Sequence, residues 1–162
     1  MIIRNATLDD LDDLANIEKE CFPPAEAAKK EEIKERLEIY PNHFWLLVKH
    51  KKIISFINGF VSDKKDLSDE MYENASLHDE NGDWQMIFGV NTMPRYRGNG
   101  YAETLIRKVI ETAKEENRLG VVLTCKNYLV DYYAKFGFAD EGISKSKHGG
   151  EAWNQMRLTF KK

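Results

Sequence analysis

The sequence lacks most of the features that mark specialised classes of protein. Its two cysteines, Cys21 and Cys125, are far apart and form no CxxC or Cys/His spacing. They therefore predict no structural metal site and indicate a reducing compartment. No apolar run approaches the ~18 residues of a membrane span, and the N-terminal segment MIIRNATLDD has no apolar signal-peptide region. We therefore expect a cytoplasmic protein without a membrane segment and without a bound metal.

Positive charge is not in excess either. The formal net charge is −3, which argues against a general nucleic-acid binder, because such proteins present a basic surface. The hydrophobic fraction of 42% and the charged fraction of 31% over 162 residues are typical of a globular protein with one core. With no internal repeat and no linker, we predict a single domain over residues 1–162, as a monomer or a homodimer.

Hydrophobic periodicity predicts eleven elements in the order β-α-α-β-β-β-α-β-α-β-β. The order comprises a β-meander, one βαβ crossover and a terminal hairpin. It predicts a mixed α/β fold whose sheet of about seven strands is mainly antiparallel and has helices on both faces. The predicted ranges are strand 2–6, helices 7–20 and 25–39, strands 44–48 and 53–61, a strand from 84, a helix to 113, strand 121–125, helix 128–135, and strands 138–144 and 152–160.

A glycine turn joins the predicted central strand to the following helix. The turn reads Arg97-Gly98-Asn99-Gly100-Tyr101-Ala102. Glycines let backbone amides approach a ligand closely, and the first amides of a helix bind anions. The turn matches neither the P-loop GxxxxGK[ST] nor the dinucleotide fingerprint, which needs a third glycine. It therefore predicts an anion site of another kind, and the alternative is a surface turn with solvated arginines.

The turn and the element order together resemble a known family. Arg95, Gly98 and Gly100 fit the pattern [RQ]xxGx[GA] after Pro94, which resembles the acetyl-CoA pyrophosphate loop of the GNAT superfamily of N-acetyltransferases. The run from Tyr133 to Phe138, YAKFGF, is similar to the Y-x-K-x-G-F motif of that family. The resemblance covers essentially the whole chain and implies the GNAT-type acyl-CoA N-acyltransferase fold with acetyl-CoA as the cofactor.

Within the superfamily, short matches favour one group of enzymes. The stretches 77–78, 123–126 and 129–133 resemble arylalkylamine (serotonin-type) N-acetyltransferases and their bacterial relatives. This resemblance implies transfer of the acetyl group to a small primary amine, arylalkylamine-like or polyamine-like, by direct attack in a ternary complex. Cys125 ends a predicted buried strand, so we interpret it as a core thiol rather than as a covalent acyl carrier.

The resemblance also implies which residues hold the cofactor. The backbone of the central strand would bind the pantetheine arm and polarise the thioester carbonyl. Amides of the glycine turn would hold the pyrophosphate, and Tyr133 would protonate the departing thiolate, unless it is simply a core tyrosine. The implied cofactor-binding residues are Val90, Asn91, Thr92, Arg97, Gly98, Asn99, Gly100, Tyr101, Ala102 and Glu103.

The chain differs from the serotonin-type enzymes at the residues that would serve as the general base. Two strand histidines of the serotonin-type enzymes correspond to Met86 and Phe88, which cannot accept a proton. Since an alkylamine has a pKa of ~10.4, its deprotonation at pH 7 costs roughly 4–5 kcal/mol without help. A base must come from bulk solvent through ordered water or from a loop, where the candidates are His78, Glu80, Asp83 and His148. Each of these is equally explained as a solvated residue.

The acceptor site is predicted from loop position. Phe22, Pro23 and Pro24 occupy the place of a substrate-covering loop, or else form a simple helix stop. Met86, Phe88, His78 and His148 complete the candidate substrate residues. The acidic segment 63–83 would attract a cationic amine, unless it is only a solvated connection.

Two other functions are compatible with the same residues. The first is a non-catalytic acyl-CoA-binding module that acts as a sensor or docks a partner, which the missing strand histidines favour slightly. The second is acetylation of protein N-termini or lysines, which predicts an open cleft rather than a covered pocket.

Overall fold

The computed structural model describes residues 1–161, which form a mixed α/β fold of nine strand segments and five α-helices. The strands are β1 Ile2–Asn5, β2 Phe44–Lys49, β3 Lys52–Asn58, β4 Val61–Ser62, β5 Trp84–Ile87, β6 Gly89–Thr92, β7 Gly120–Cys125, β8 Ala139–Ile143 and β9 Asn154–Thr159. The helices are α1 Leu11–Cys21, α2 Lys30–Ile39, α3 Asp69–Glu73, α4 Tyr101–Glu115 and α5 Val130–Ala134.

The strand pairing confirms the predicted mixed, mainly antiparallel sheet. The strand orders are β1-β2-β3-β6 and β4-β5-β7-β9-β8, and only the β5–β7 pair is parallel. The two halves are continuous, because β3 runs on into β4 after a break at Gly59 and β5 runs on into β6 after a break at Phe88. A side chain at Gly59 would place its Cβ 1.7 Å from the Met86 carbonyl oxygen, so only glycine allows this close approach.

The break at Phe88 separates β6 from β7. β5 pairs with β7 as far as Ile87 and Leu123. Beyond that point β6 pairs only with β3, whereas β7 continues to Cys125 beside β9. The two central strands therefore diverge, and a groove opens along the unpaired edge of β6.

Helices cover both faces of the sheet, as the sequence predicts. On one face, α1 and α2 bury Leu14, Ile33 and Leu37 against β2, β3 and β5. On the other, α4 buries the apolar stripe that includes Leu105 and Val109. Among residues 1–161, none of the helices has the length and apolar character needed to cross a bilayer.

The second helix is shorter than predicted. It begins at Lys30 rather than at residue 25. The amides of Glu26 and Ala27 both donate to the Pro23 carbonyl, which closes a turn, and the Ala28 amide donates to a Glu18 carboxylate oxygen at 2.9 Å. These contacts override the helical propensity of the alanine- and lysine-rich segment.

The acidic segment 63–83 folds onto the sheet through a buried polar cluster. Glu80 accepts hydrogen bonds from His43 Nε2 at 2.9 Å and from Arg118 Nη2 at 2.9 Å. His78 also donates to it through Nε2 at 3.2 Å, because the Val61 amide donates to His78 Nδ1 and so fixes the proton on Nε2. Burial alone would raise the pKa of Glu80, but these donors lower it to about 2.

This cluster does not suit a metal ion, although His43, His78 and Glu80 offer ligand atoms within 4.8 Å of one another. The Nε2 atom of His78 carries a proton, and the guanidinium of Arg118 already neutralises the carboxylate. The cluster instead ties the end of the acidic segment to β2 and to the turn after α4.

We predict that Glu80→Gln destabilises the protein in a pH-dependent way. Since the pKa of Glu80 falls from 4.5 to about 2 on folding, its stabilising effect is complete above pH 4.5 and disappears as the pH falls toward 2. The side chain is 50% exposed, so we expect a loss of only about 1 kcal/mol, or roughly 2–4 °C in Tm, at pH 7.

Thermal unfolding followed by circular dichroism between pH 2 and pH 8 measures the effect. The matched control is Glu38→Gln, which changes an exposed glutamate of α2 that has no ion pair within residues 1–161. A loss of Tm in Glu80→Gln that stays constant across this pH range would contradict the lowered pKa of Glu80.

Candidate active site

The glycine turn presents a row of unpaired backbone donors. The N–H groups of residues 98–103 donate to no acceptor within residues 1–161, and the first bond of α4 runs from the Thr104 amide to the Gly100 carbonyl at 3.1 Å. Gly98 and Gly100 have φ values of 80° and 78°, in the left-handed region that favours glycine. Together with the dipole of α4, these amides form a site for an anion.

The turn lines a cavity of about 320 Å³. The Arg97 amide is engaged by the Pro94 carbonyl at 3.3 Å, so that residue contributes its side chain, whose Nε donates to the Thr92 carbonyl at 3.1 Å. Glu103 lies at the edge of the cavity, where Arg107 and then Lys135 lower the pKa of its carboxyl. Among the implied pyrophosphate residues, Gly98, Gly100, Tyr101, Ala102 and Glu103 all line this cavity.

The groove along β6 exposes alternate backbone groups. The Met93 amide donates to the Ile54 carbonyl of β3 at 2.9 Å. Because successive residues of a strand direct their backbone groups to opposite edges, Val90 and Thr92 face the groove. The backbone of Asn91 faces β3 instead, and its side-chain Nδ2 donates to Glu18 at 2.8 Å. Of the three residues implied for the pantetheine arm, the geometry therefore suits Val90 and Thr92 but not Asn91.

A second cavity, of about 580 Å³, lies beyond the other end of the groove, and we call it the acceptor cavity. Val90 and Tyr133 line it where the groove enters. Tyr133 is 7% exposed and packs edge-on against Tyr132 and Phe138. Burial raises the pKa of its phenol, and its hydroxyl has no hydrogen-bond partner within residues 1–161.

Two loops meet over the acceptor cavity and form a roof. The first loop contains Phe22, Pro23 and Pro24. It is joined to the second by a 2.8 Å contact between His148 Nε2 and the Glu26 carbonyl. The Glu26 carboxylate also pairs with Lys126 at 3.1 Å. The cavity is thus covered from above.

His148 is the one candidate base that lines the acceptor cavity. Its ring stacks on Tyr72 with centroids 4.7 Å apart and planes inclined by 12°. Because the Glu26 carbonyl can only accept a hydrogen bond, Nε2 must carry a proton, which leaves Nδ1 with a lone pair. This Nδ1 has no partner within residues 1–161.

The other candidates lie elsewhere. His78 and Glu80 belong to the buried polar cluster, and Asp83 precedes β5; none of them lines either cavity. Met86 is fully buried in the core, whereas Phe88 lines the acceptor cavity.

The wall of the acceptor cavity also holds polar residues that the sequence analysis missed. Glu18 is 6% exposed, and burial raises the pKa of its carboxyl although Ala28 and Asn91 donate to it. The signal in the sequence is a charge within the apolar stripe of a helix, since Glu18 lies four residues after Leu14. The wall also includes Arg36, Asn58, Tyr72 and Thr124, together with charged residues that include Glu26, Lys29, Glu32, Asp69, Glu73, Lys126 and Lys147.

Neither cysteine is set up as a nucleophile. Burial raises the pKa of Cys125 to about 11, and burial also raises the pKa of Cys21. Because the thiolate is the nucleophilic form, both thiols are unreactive at neutral pH.

Comparison with known proteins agrees with this geometry. Residues 11–138 match the family described as the Acetyltransferase (GNAT) family, and the chain belongs to that family. Membership of this family supports an acetyl-CoA-dependent N-acetyltransferase with CoA as its cofactor.

The individual relatives are distant or partial. The chain is 40% identical over 47 residues to Probable glucosamine 6-phosphate N-acetyltransferase 2 of Oryza sativa subsp. japonica, and this match covers 29% of the chain and only 28% of the rice protein. The loading GNATL domain of CurA from Lyngbya majuscula superposes with a TM-score of 0.85 at 18% identity, covering 98% of this chain and 96% of that domain. The PaiA N-acetyltransferase of Thermoplasma acidophilum, in complex with coenzyme A, superposes with a TM-score of 0.72 at 15% identity over 98% of both chains. These likenesses concern the fold, and the resemblance to arylalkylamine enzymes stays a prediction.

We predict that Gly100→Ala weakens CoA binding. An L-residue in the left-handed region costs about 1–2 kcal/mol, and relief of that strain would turn the amides of the anion site away from the pyrophosphate. Loss of one hydrogen bond to a charged group corresponds to a roughly 10- to 100-fold increase in Kd. Isothermal titration calorimetry with CoA measures the Kd of the variant and of the wild-type protein.

Gly142→Ala is a matched control, since Gly142 has a φ of 88° and, like Gly100, open space around its Cβ. It lies in β8, away from both cavities. We expect equal losses of Tm for the two variants and an unchanged Kd for Gly142→Ala. Equal Kd values for both variants would contradict the anion site.

Proposed function

We propose that this protein transfers the acetyl group of acetyl-CoA to the primary amine of a small molecule by direct attack within a ternary complex. The observation that carries the proposal is the position of two cavities along β6. Thr92 lines the cavity that holds the unpaired amides of residues 98–103, and Val90 lines the acceptor cavity together with Tyr133 and His148.

The backbone would position and activate the thioester. No strand lies beside the groove-facing backbone groups of Val90 and Thr92. The pantetheine arm would take the place of a strand and extend along them. An N–H donor aimed at the carbonyl oxygen stabilises the negative charge that develops during attack. The amide of Val90, which lies between the groove and the acceptor cavity, is suited to that position.

His148 would remove the proton from the incoming ammonium. Its Nδ1 lone pair is available because Nε2 binds the Glu26 carbonyl, and stacking on Tyr72 holds the ring in place. A positioned base of this kind contributes about 10²- to 10⁴-fold. His148 would thus replace the strand histidines whose positions Met86 and Phe88 occupy.

Tyr133 would protonate the departing thiolate of CoA. Its hydroxyl has no competing partner within residues 1–161, and its raised pKa keeps it protonated at neutral pH. The raised pKa of Cys125, about 11, supports direct attack on the thioester over transfer through an acetyl-cysteine, because the thiolate is the nucleophilic form.

The roof favours a small acceptor over a protein. The contact between His148 and the Glu26 carbonyl, together with the Glu26–Lys126 pair, joins loops that line the cavity, whereas a peptide acceptor would need them apart. These contacts weigh against acetylation of protein N-termini or lysines.

We predict that Tyr133→Phe lowers kcat about 10²-fold with little change in KM for acetyl-CoA, because the variant loses only the proton donor for the thiolate. The assay follows release of free thiol from acetyl-CoA over a panel of primary amines.

Tyr40→Phe is the control, because it removes a buried tyrosine hydroxyl that also has no hydrogen-bond partner within residues 1–161 and that lies in neither cavity. Full turnover by Tyr133→Phe would remove the proposed acid. Binding of acetyl-CoA without thiol release on any amine would favour the non-catalytic module instead.

We predict that His148→Asn lowers kcat/KM about 10²-fold at pH 7. The deficit should shrink as the pH rises toward 10, because an amine with a pKa of ~10.4 supplies tenfold more neutral form with each pH unit. Asparagine is too short to replace Nε2 as the donor to the Glu26 carbonyl, so His148→Gln, whose amide extends further, is measured beside it and should show the same deficit with the roof preserved.

The comparison is with His50→Asn, which replaces an exposed histidine in the β2–β3 turn. A pH–rate profile from pH 6 to pH 10 decides the role. If the His148→Asn profile runs parallel to the wild-type profile, His148 is not the base.

A further inference from the structure

The acceptor cavity contains a buried guanidinium without a direct counter-ion. Arg36 is 3% exposed and lines the cavity. Its Nη1 donates to Asn58 Oδ1 at 2.8 Å and its Nη2 donates to the Tyr72 carbonyl at 2.8 Å, both of which are neutral acceptors. None of the ion pairs of 4.0 Å or less within residues 1–161 includes Arg36.

The other buried arginines of the described chain are paired. Arg118 and Arg157 are each 6% exposed. Arg118 Nη2 lies 2.9 Å from a Glu80 carboxylate oxygen, and Arg157 Nη2 lies 2.7 Å from an Asp66 carboxylate oxygen. Neither residue lines the acceptor cavity. Among the buried arginines of residues 1–161, Arg36, which lines the cavity, is therefore the one without an ion pair. A buried ion without a counter-ion is energetically costly.

The guanidinium of Arg36 is also held in one orientation, and some of its N–H groups have no acceptor. Its Cζ lies 4.8 Å from the centroid of the Phe88 ring, which covers one face. A guanidinium has five N–H groups, and the two bonds to Asn58 and Tyr72 leave the others without an acceptor among residues 1–161. A fixed, planar fork of free donors matches a carboxylate or a phosphate.

We propose that Arg36 binds an anionic group, a carboxylate or a phosphate, carried by the amine that accepts the acetyl group. The proposal rests on the proposed function and narrows its substrate class. Glu18 lines the same cavity with a carboxylate, so an acceptor that carries both an ammonium and an anion would meet a partner for each charge. Simple arylalkylamines and polyamines lack the anion.

The test compares amines that differ only in the anionic group. One pair is 4-aminobutyrate and butylamine, and the other is phosphoethanolamine and ethanolamine, so the two pairs distinguish carboxylate from phosphate. Putrescine represents the polyamines. For each amine, kcat/KM is measured by thiol release, and binding to the CoA-saturated protein is measured by calorimetry, which does not depend on turnover.

We expect the wild-type protein to prefer the anionic member of at least one pair by about 10- to 100-fold, the effect of a charge-assisted hydrogen bond. Arg36→Met should abolish that preference by raising KM for the anionic amines more than for the neutral ones. Arg36→Lys, which retains the charge but not the fork, should retain part of the preference. Arg157→Met is the control for loss of a buried arginine, and it should lower Tm without changing the preference.

Several results would overturn the proposal. They are a preference of the wild-type protein for butylamine or putrescine, equal losses on all amines in Arg36→Met, and calorimetric binding of none of the anionic amines. Binding of an anionic amine that requires Arg36, without thiol release on any amine, would support the anion site while refuting acetyl transfer.

Discussion

The divergence of β6 from β7 at Phe88 is the constraint on which the rest of the structure depends. A sheet normally pairs every strand that it buries, since an unpaired backbone group away from water is costly. Here the edge of β6 that carries Val90 and Thr92 is left open, while β5 and β7 remain paired up to Ile87 and Leu123. No strand pairs with this edge, although the Thr92 carbonyl accepts from Arg97 Nε, and in the proposed function an extended ligand would lie along it.

Features formed by neighbouring residues could be predicted from the sequence, whereas features that depend on contacts between distant residues could not. The glycine turn and α4 could be predicted because their signals are contiguous: positive φ at Gly98 and Gly100, then an apolar stripe at helical spacing. The start of α2 could not, because it depends on the bond between Ala28 and Glu18. The position of His148 in the cavity depends on a contact with Glu26 across 122 residues, and no spacing in the sequence encodes that contact.

The wall of the acceptor cavity contains charged residues that the apolar pattern of the helices does not predict. A helix that packs on a sheet is expected to be apolar on its buried side, yet Glu18 of α1 and Arg36 of α2 are both buried there. Buried charges are expensive unless they are satisfied. Charged residues that interrupt an apolar stripe therefore mark the cavity in this chain, and the two helices supply opposite charges to it.

The two halves of the candidate site are built in different ways, and this bears on specificity. The proposed cofactor half comes mainly from residues 89–103, with Tyr132 and Lys135 beside them, and it mainly offers backbone groups, which tolerate changes of side chain. The acceptor half combines side chains from α1, α2, α3 and the loop before β9, held together by single contacts such as His148 to the Glu26 carbonyl. Since the second half contributes little to binding the pyrophosphate, its side chains can change the acceptor while CoA binding is preserved. In the proposed function, the charges in the cavity wall rather than the fold would therefore select the amine.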